Sequence, residues 1–287
     1  MFISEVDENK MGHVNAAKPQ PTNEDDMSPL PTIFLSHGSP MLALQDSPAR
    51  RFLQGLGKSL ERPQAIVVVS AHWETSNGPA VSLARQPETI HDFGGFPRAL
   101  FEIRYPAPGA PDAARRAAAL LDAHGIPAGQ SAQRGLDHGA WVPLSLMYPD
   151  AGIPVAQLSI VHGASPAEHE RLGRALAALR DEGILVIGSG SLTHNLHEFR
   201  GQGIDAPAPQ WVSEFEAWMQ ARLENGDRAA LLDYRRAAPY AAQNHPTEEH
   251  LLPLFVAMGA AGPDARATRL HASVEHGVLA MDAYAFQ

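Results

Sequence analysis

Short, continuously apolar segments alternate with helical segments along most of this chain, and this alternation is the strongest constraint on its fold. Runs such as Val67–Val69 and Ile184–Ile187 contain no polar residue, which is typical of strands buried on both faces of a largely parallel sheet. The predicted strands are Thr32–Ser36, Ala65–Ala71, Ala80–Leu83, Val155–Ile160, Ile184–Ile187 and Thr268–Val274. The pattern predicts an α/β sandwich, with a largely parallel or mixed central sheet flanked by helices.

The helices between these strands have recognisable ends. Ser165 is a predicted N-cap, followed by Pro166 and by Glu168 at the capping-box position, and this helix is expected to stop at Gly183. The other predicted helices are Pro111–Ala123, Trp211–Leu223, Ala229–Arg236 and one that begins after Thr247. Residues 1–29 are polar and end in closely spaced prolines, so we expect a flexible leader followed by a single domain over residues 30–287.

The composition narrows the function. The 287 residues include 14 histidines and no cysteine, which excludes disulfides, thiolate zinc sites, iron–sulfur clusters and thiol nucleophiles. The formal charge of −10 argues against nucleic-acid binding, and no apolar run approaches the roughly 18 residues of a membrane span. The first residues also lack the pattern of a secretory signal. We therefore expect a cytoplasmic enzyme, in which any metal is bound through imidazole or oxygen ligands.

Four histidines follow predicted strands, His162 in SIVHG being one, and the other three lie among small residues. His37 comes after the first strand in FLSHGSP, His72 after the second in VVVSAHWE, and His194 just beyond Ile184–Ile187 in GSGSLTHN. Ligands bind beyond the carboxyl ends of the strands in open α/β sheets, so these side chains are expected to converge at the C-terminal ends of the strands. One such histidine is more often a structural residue, but three among small residues favour a mononuclear site with imidazole ligands.

The segment NHPTEEH, residues 244–250, offers two imidazoles and two carboxylates. Glu248 and Glu249 could be ligands, or simply acidic residues in the first turn of a helix, where the helix dipole favours them. His245 precedes a proline and is not needed for capping, so it is the stronger candidate ligand. His250 could lie next to the ligands or in the core.

Two loops carry further candidates. The segment HDFGGFP, residues 91–97, is either a loop that covers a flat ring or a turn with core aromatics. In GLDHGAWVP, residues 135–143, the pair Asp137 and His138 suits proton transfer or ligand orientation, although a local turn also explains it. Phe93, Phe96 and Trp73 are the candidate substrate-binding aromatics, and each could instead belong to the core.

Taken together, six motifs resemble the class III extradiol ring-cleavage dioxygenases, in the 4,5-DOPA dioxygenase branch. They are TIFLSHGSPM, VVVSAHWE, HDFGGFP, GLDHGAWVPL, GSGSLTHNL and NHPTEEHLLPL, and they span about residues 31–287 in the family's order. The resemblance implies a catalytic domain with a metal bound by His37 and His72, with His245 as third ligand and Glu249 as the fallback. It also implies that His194 is the catalytic base and that His138 contacts oxygen or substrate.

The resemblance implies ring cleavage of a catechol by O2 at a non-haem Fe(II) site. Three imidazoles would also bind Zn(II) tightly, since zinc exceeds iron in the general order of affinity, so zinc is expected in the purified protein. Two alternatives stay open at this point. A zinc hydrolase could use the same ligands, and a protein of this fold could bind metal without catalysis. The sequence does not indicate protein partners or an oligomeric state.

Overall fold

The computed structural model describes Met1 and residues 29–287, so the predicted leader lies outside the described residues except for its two ends. Among the described residues, no helix combines the length and the hydropathy needed to cross a membrane.

The strands of this part of the chain are β1 (Thr32–Ser36), β2 (Ala65–Thr75), β3 (Ala80–Ser82), β4 (Gly129–Ser131), β5 (Val155–Val161), β6 (Ile184–Gly190), β7 (Ala267–His271), β8 (Val274–Glu275), β9 (Leu279–Ala280) and β10 (Ala283–Phe286). Eight of them form a mixed central sheet in the order β4-β3-β5-β2-β6-β1-β10-β7, and β8 and β9 form a separate small pair.

Helices cover both faces of the sheet. They are α1 (Pro48–Ser59), α2 (Arg98–Glu102), α3 (Pro111–Ala123), α4 (His138–Met147), α5 (Pro166–Ala175), α6 (Gln210–Asn225), α7 (Arg228–Leu232), α8 (Tyr234–Ala237), α9 (Ala241–Asn244) and α10 (Leu252–Ala260). Alternate residues of β2 face opposite sides: Val67 and Val69 pack in one hydrophobic cluster, and Ile66 and Val68 in the other. The predicted α/β sandwich is confirmed.

The four central strands, β5, β2, β6 and β1, run parallel, and antiparallel pairing begins only towards the edges of the sheet. Ser189 of β6 is in register with Leu35 of β1 and with Ser70 of β2. The carboxyl ends of these three strands therefore meet at one edge, and that edge carries the strand-end histidines.

Several predicted elements differ in extent. The predicted strand Thr268–Val274 is divided into β7 and β8, and the predicted helix Ala229–Arg236 into α7 and α8. The predicted Ser165 helix has the expected capping box, but α5 ends at Ala175 and a 3-10 turn follows before Gly183 adopts a left-handed φ of 68°. The last helix begins at Leu252 and not directly after Thr247, so Glu248 and Glu249 precede it. Pro253 lies in its first turn, where a missing N–H costs nothing.

Candidate metal centre

Two strand-end histidines point their Nε2 atoms at each other. The Nε2 atoms of His37 and His72 are 3.0 Å apart, a separation that two bonds of about 2.1 Å to one ion can span. Nδ1 of His37 lies 3.0 Å from Oγ of Ser189, which donates its own hydrogen to the Gly139 carbonyl at 2.5 Å. Ser189 can therefore only accept from His37, so the proton of His37 is on Nδ1 and its Nε2 presents a lone pair.

The same pattern holds for His72. Its Nδ1 lies 3.6 Å from a carboxylate oxygen of Asp92, which is too long for a hydrogen bond but close enough for the negative charge to favour a proton there. With both Nδ1 atoms protonated, two Nε2 lone pairs face each other across 3.0 Å. A cation between them would convert this repulsion into attraction.

His250 completes the group. Metal-ligating atoms of His37, His72 and His250 all lie within 4.8 Å of one another. Nδ1 of His250 donates to Oε1 of Glu249 at 2.9 Å, while its buried Nε2 has no hydrogen-bond partner among residues 29–287. An unpartnered buried nitrogen is costly, and a metal ion would satisfy it. His37 and His250 have a hydrogen-bonded Nδ1, and Nδ1 of His72 faces a carboxylate, so each ring can offer Nε2 to one ion bound by three imidazoles.

Glycines in β6 place His250 next to the strand. A Cβ on Gly190 would lie 2.0 Å from the His250 carbonyl oxygen, and one on Gly188 would lie 2.2 Å from that of Pro253. The backbone N–H of Ser191 donates to the same His250 carbonyl at 2.8 Å. Only glycine permits so close an approach. The glycines of the GSGS segment therefore allow the backbone around His250 to pack directly against β6.

The structure does not bring His245, the predicted third ligand, into this group. Its ring is fully buried beside Phe215 and Tyr234, and its Nε2 donates to the Leu192 carbonyl at 2.8 Å. The chain turns between residues 245 and 250, so the two histidines of one short motif face different surroundings. Glu249, the fallback ligand, groups with His194 and His250 and not with His37 and His72.

His194 and His138 border the same group. The ring of His194 stacks on that of His250, with centroids 3.4 Å apart and planes inclined by 10°. The ring centroid of His138 lies 3.9 Å from that of His72 and 5.4 Å from that of His37. Both predicted catalytic histidines are therefore beside the candidate ligands.

Asp137, which precedes His138, has a supporting role. Its carboxylate accepts from Ser70 Oγ at 2.7 Å, from Gln157 Nε2 at 2.8 Å and from Arg134 Nη2 at 2.6 Å, and it caps α4 through the Ala140 N–H. These bonds fix the start of α4, where His138 is the first residue. The carboxylate that contacts the His138 ring belongs instead to Asp92, with Oδ2 3.0 Å from Nδ1. The contact was not foreseen, because Asp92 is far from His138 in sequence.

The candidate metal centre opens into a cavity of about 430 Å³ with largely apolar walls. Phe93 and Phe96 are part of its lining, so the structure brings these two predicted aromatics to the site. Trp73 is not among the lining residues; its side chain points elsewhere and stacks under the Arg134 guanidinium at 5.1 Å. A cavity of this size can contain a single substituted aromatic ring.

Four of the site's histidines, His37, His72, His194 and His250, are neutral at physiological pH because their pKa values are lowered. Burial lowers the pKa of His72 and of His194 to about 4, with the charge of His138 adding to the effect in each. Burial and neighbouring histidines lower the pKa of His37 and of His250 well below the usual range. Burial opposes ionisation of Asp92, but its contacts with His138 outweigh this and lower the pKa of Asp92 to about 2. The site thus combines neutral imidazoles with an ionised carboxylate, as metal binding requires.

Comparisons with known proteins identify the family of the chain. Residues 31–286 match the family model described as the catalytic LigB subunit of aromatic ring-opening dioxygenase. A Beta vulgaris protein named 4,5-DOPA dioxygenase extradiol is 44% identical over 259 residues, covering 89% of this chain and 96% of that protein. An Escherichia coli protein of the same name is 43% identical, covering 88% and 93%. A crystal structure of an uncharacterized Escherichia coli K12 protein superposes with a TM-score of 0.76 at 38% identity, covering 90% of this chain and all of that one.

The fold and these relatives define an oxidoreductase that opens aromatic rings with dioxygen. The chain belongs to the LigB family, the class III extradiol ring-cleaving dioxygenases that its motifs resemble. The predictions of an enzyme and of this family are confirmed, and the alternatives of a zinc hydrolase and of a non-catalytic binding protein are not supported by any of these relatives.

Proposed function

We propose that the protein cleaves a catechol with a DOPA-like side chain at a single metal ion bound by His37, His72 and His250. The observation that carries this proposal is the shared arrangement of the three rings, in which each Nδ1 faces a protein oxygen and the ligating atoms lie within 4.8 Å of one another. The names of the curated relatives support the substrate class.

The metal for activity is proposed to be Fe(II), which when bound supplies the redox chemistry that lets dioxygen react with an aromatic ring. Three neutral imidazoles bind Zn(II) more tightly than Fe(II), so we expect zinc in protein purified in air. Glu249 is proposed to orient His250 rather than to bind the ion, because its Oε1 is already 2.9 Å from Nδ1 of His250.

His194 is proposed to take the proton that a catechol hydroxyl loses on binding. Its low pKa keeps the ring neutral, so one nitrogen has a lone pair for the proton, and its stacking on His250 fixes the ring beside the metal centre. His138, held by Asp92 on the other side of the centre, is placed to pass a proton to or from the reacting oxygen atoms.

The cavity positions the substrate and limits access of water. Phe93 and Phe96 meet edge to face with centroids 5.4 Å apart, and we propose that they hold the flat ring of the catechol. Apolar walls also favour the neutral aromatic ring over bulk water as the occupant of the site.

Anaerobic reconstitution of the metal-free protein with Fe(II), followed by oxygen uptake with a panel of catechols, tests the function. We expect one O2 consumed per ring opened and a yellow product. Reconstitution with Zn(II) is the control and should give neither. Absence of oxygen uptake with every catechol, in protein shown to contain stoichiometric Fe(II), would contradict the proposal. The predicted cytoplasmic location is tested separately by fractionation of cells that express the protein.

A further inference from the structure

Asp92 lies between two histidines of the site. Its Oδ2 is 3.0 Å from Nδ1 of His138 and 3.6 Å from Nδ1 of His72, and its Oδ1 accepts from the backbone N–H of His138 at 3.0 Å. One carboxylate thus faces the outer nitrogens of a proposed metal ligand and of a proposed proton-transfer residue.

We propose that Asp92 is a positioning residue that fixes the ring orientation and the protonated nitrogen of both His72 and His138. The inference rests on the proposed function, in which His72 is a ligand. The negative charge of Asp92 stabilises a proton on each Nδ1 that it faces, at 3.0 Å in His138 and 3.6 Å in His72. Each Nε2 then keeps a lone pair, and that of His72 is the one that faces His37.

The loop that carries Asp92 is anchored on both sides, as this role requires. Before Asp92, the backbone N–H of Ile90 donates to the Leu136 carbonyl at 2.7 Å, and the Ile90 carbonyl accepts from Trp141 Nε1 at 2.9 Å. After it, the Phe93 ring packs edge to face on His138, with centroids 5.7 Å apart. The same loop therefore holds two histidines and one wall of the cavity in a fixed relation.

The informative variant is Asp92→Asn, because it preserves the shape of the side chain, removes its charge and adds an amide donor. Two-bond ¹H–¹⁵N spectra of the metal-free protein, labelled at histidine, report which ring nitrogen carries the proton. Competition with a chromophoric chelator measures the affinity for Zn(II). We expect both rings to lose their preference for a protonated Nδ1, and zinc affinity to fall by about 10- to 100-fold.

Two further variants separate this role from general effects. Glu102→Gln removes the same charge from an exposed side chain of α2 that pairs with Arg98, and should leave both readouts unchanged. Asp92→Glu keeps an acceptor and is expected to restore the wild-type tautomers and most of the zinc affinity. Equal losses in Asp92→Asn and Asp92→Glu would indicate a packing role and overturn the proposal.

The proposal is also overturned if Asp92→Asn keeps either the wild-type tautomers or the wild-type zinc affinity. Both readouts use metal-free or zinc-loaded protein and need no turnover. A wild-type protein that cleaves no catechol would therefore contradict the proposed function, while the role of Asp92 would still be decided by the tautomers and the zinc affinity.

Discussion

The ring of His194 lies flat on that of His250, with centroids 3.4 Å apart and planes only 10° from parallel. A proposed base and a proposed metal ligand thus form one stack, although α6 to α9 separate them in the chain. The contact fixes the distance of His194 from the metal centre without requiring it to be a ligand.

Replacing His194 by Phe should keep the stack and remove the base. We expect the rate of ring cleavage to fall by about 10²- to 10⁴-fold, the usual contribution of a general base, with metal content retained. Steady-state oxygen uptake and metal analysis of the same preparation measure the two effects. A rate within a few-fold of wild type would contradict the assignment, and loss of the metal would indicate that His194 is itself a ligand.

His250→Ala and His245→Ala form a matched pair, since each removes one imidazole from the same seven-residue motif. We expect His250→Ala to lose metal affinity, because it removes a lone pair that faces the centre, and His245→Ala to bind metal as the wild type does. Titration of both metal-free proteins with Zn(II) makes the comparison. The reverse outcome would restore His245 as the third ligand.

Gly139→Ala tests how tightly the site is packed. A Cβ there would lie 2.5 Å from Ser70 Oγ and 3.1–3.2 Å from the rings of His72 and His37. Alanine would stabilise an isolated helix by about 1 kcal/mol, so a loss of metal affinity would have to come from displacement of the two ligands. Gly94→Ala, where a Cβ meets nothing within 4 Å, is the control and should bind Zn(II) normally. Unchanged zinc affinity in Gly139→Ala would show that the surrounding side chains can shift to accommodate the added Cβ without displacing the two ligands.

The metal-free protein should lose stability as the pH falls through the range from 6.5 to about 4. Burial lowers the pKa of His245 to about 4, so the folded state holds this ring neutral while the unfolded chain protonates it near 6.5. The stabilisation is therefore complete above pH 6.5 and disappears as the pH approaches 4. A shift of this size corresponds to about 3 kcal/mol.

Urea unfolding at several pH values measures this dependence. His245→Gln, which can still donate to the Leu192 carbonyl but does not titrate, should show a shallower slope between pH 6.5 and 4.5 than the wild type. Identical slopes would mean that His245 does not contribute.

The walls of the cavity predict a dependence on the substrate's side chain. Leu196, Val278 and Leu279 line it with Phe93 and Phe96, so an alkyl group that extends from the catechol ring should gain apolar contacts. From 4-methyl- to 4-propylcatechol, we expect kcat/KM to rise by up to about fourfold for each CH₂ that is buried, corresponding to about 0.8 kcal/mol. Catechol is the reference substrate. If kcat/KM does not change along the series, the alkyl side chain stays in solvent.

Much of the fold could be predicted because its signals are local. The apolar runs at β1, β2 and β6 identified the buried parallel strands, and His37, His72 and His194 were found because each follows one of them. The sequence pointed to His245, with Glu249 as the fallback, and not to His250. The position of His250 depends on where the chain turns after α9 and on the close contact of its carbonyl with Gly190 of β6, which the sequence does not reveal. The contact of Asp92 with His138 was equally hidden, since nothing in either motif encodes their distance.

The close approach of the His250 carbonyl to Gly190 also bears on how the molecule is built. His37 and His72 come from the first strands of the domain, and His250 lies near its last helix. Their Nε2 atoms therefore come together only when segments distant in sequence pack against each other. A bound ion would link residues from the first strands of the domain to a residue near its last helix. Its binding free energy would then add to the stability of the whole fold.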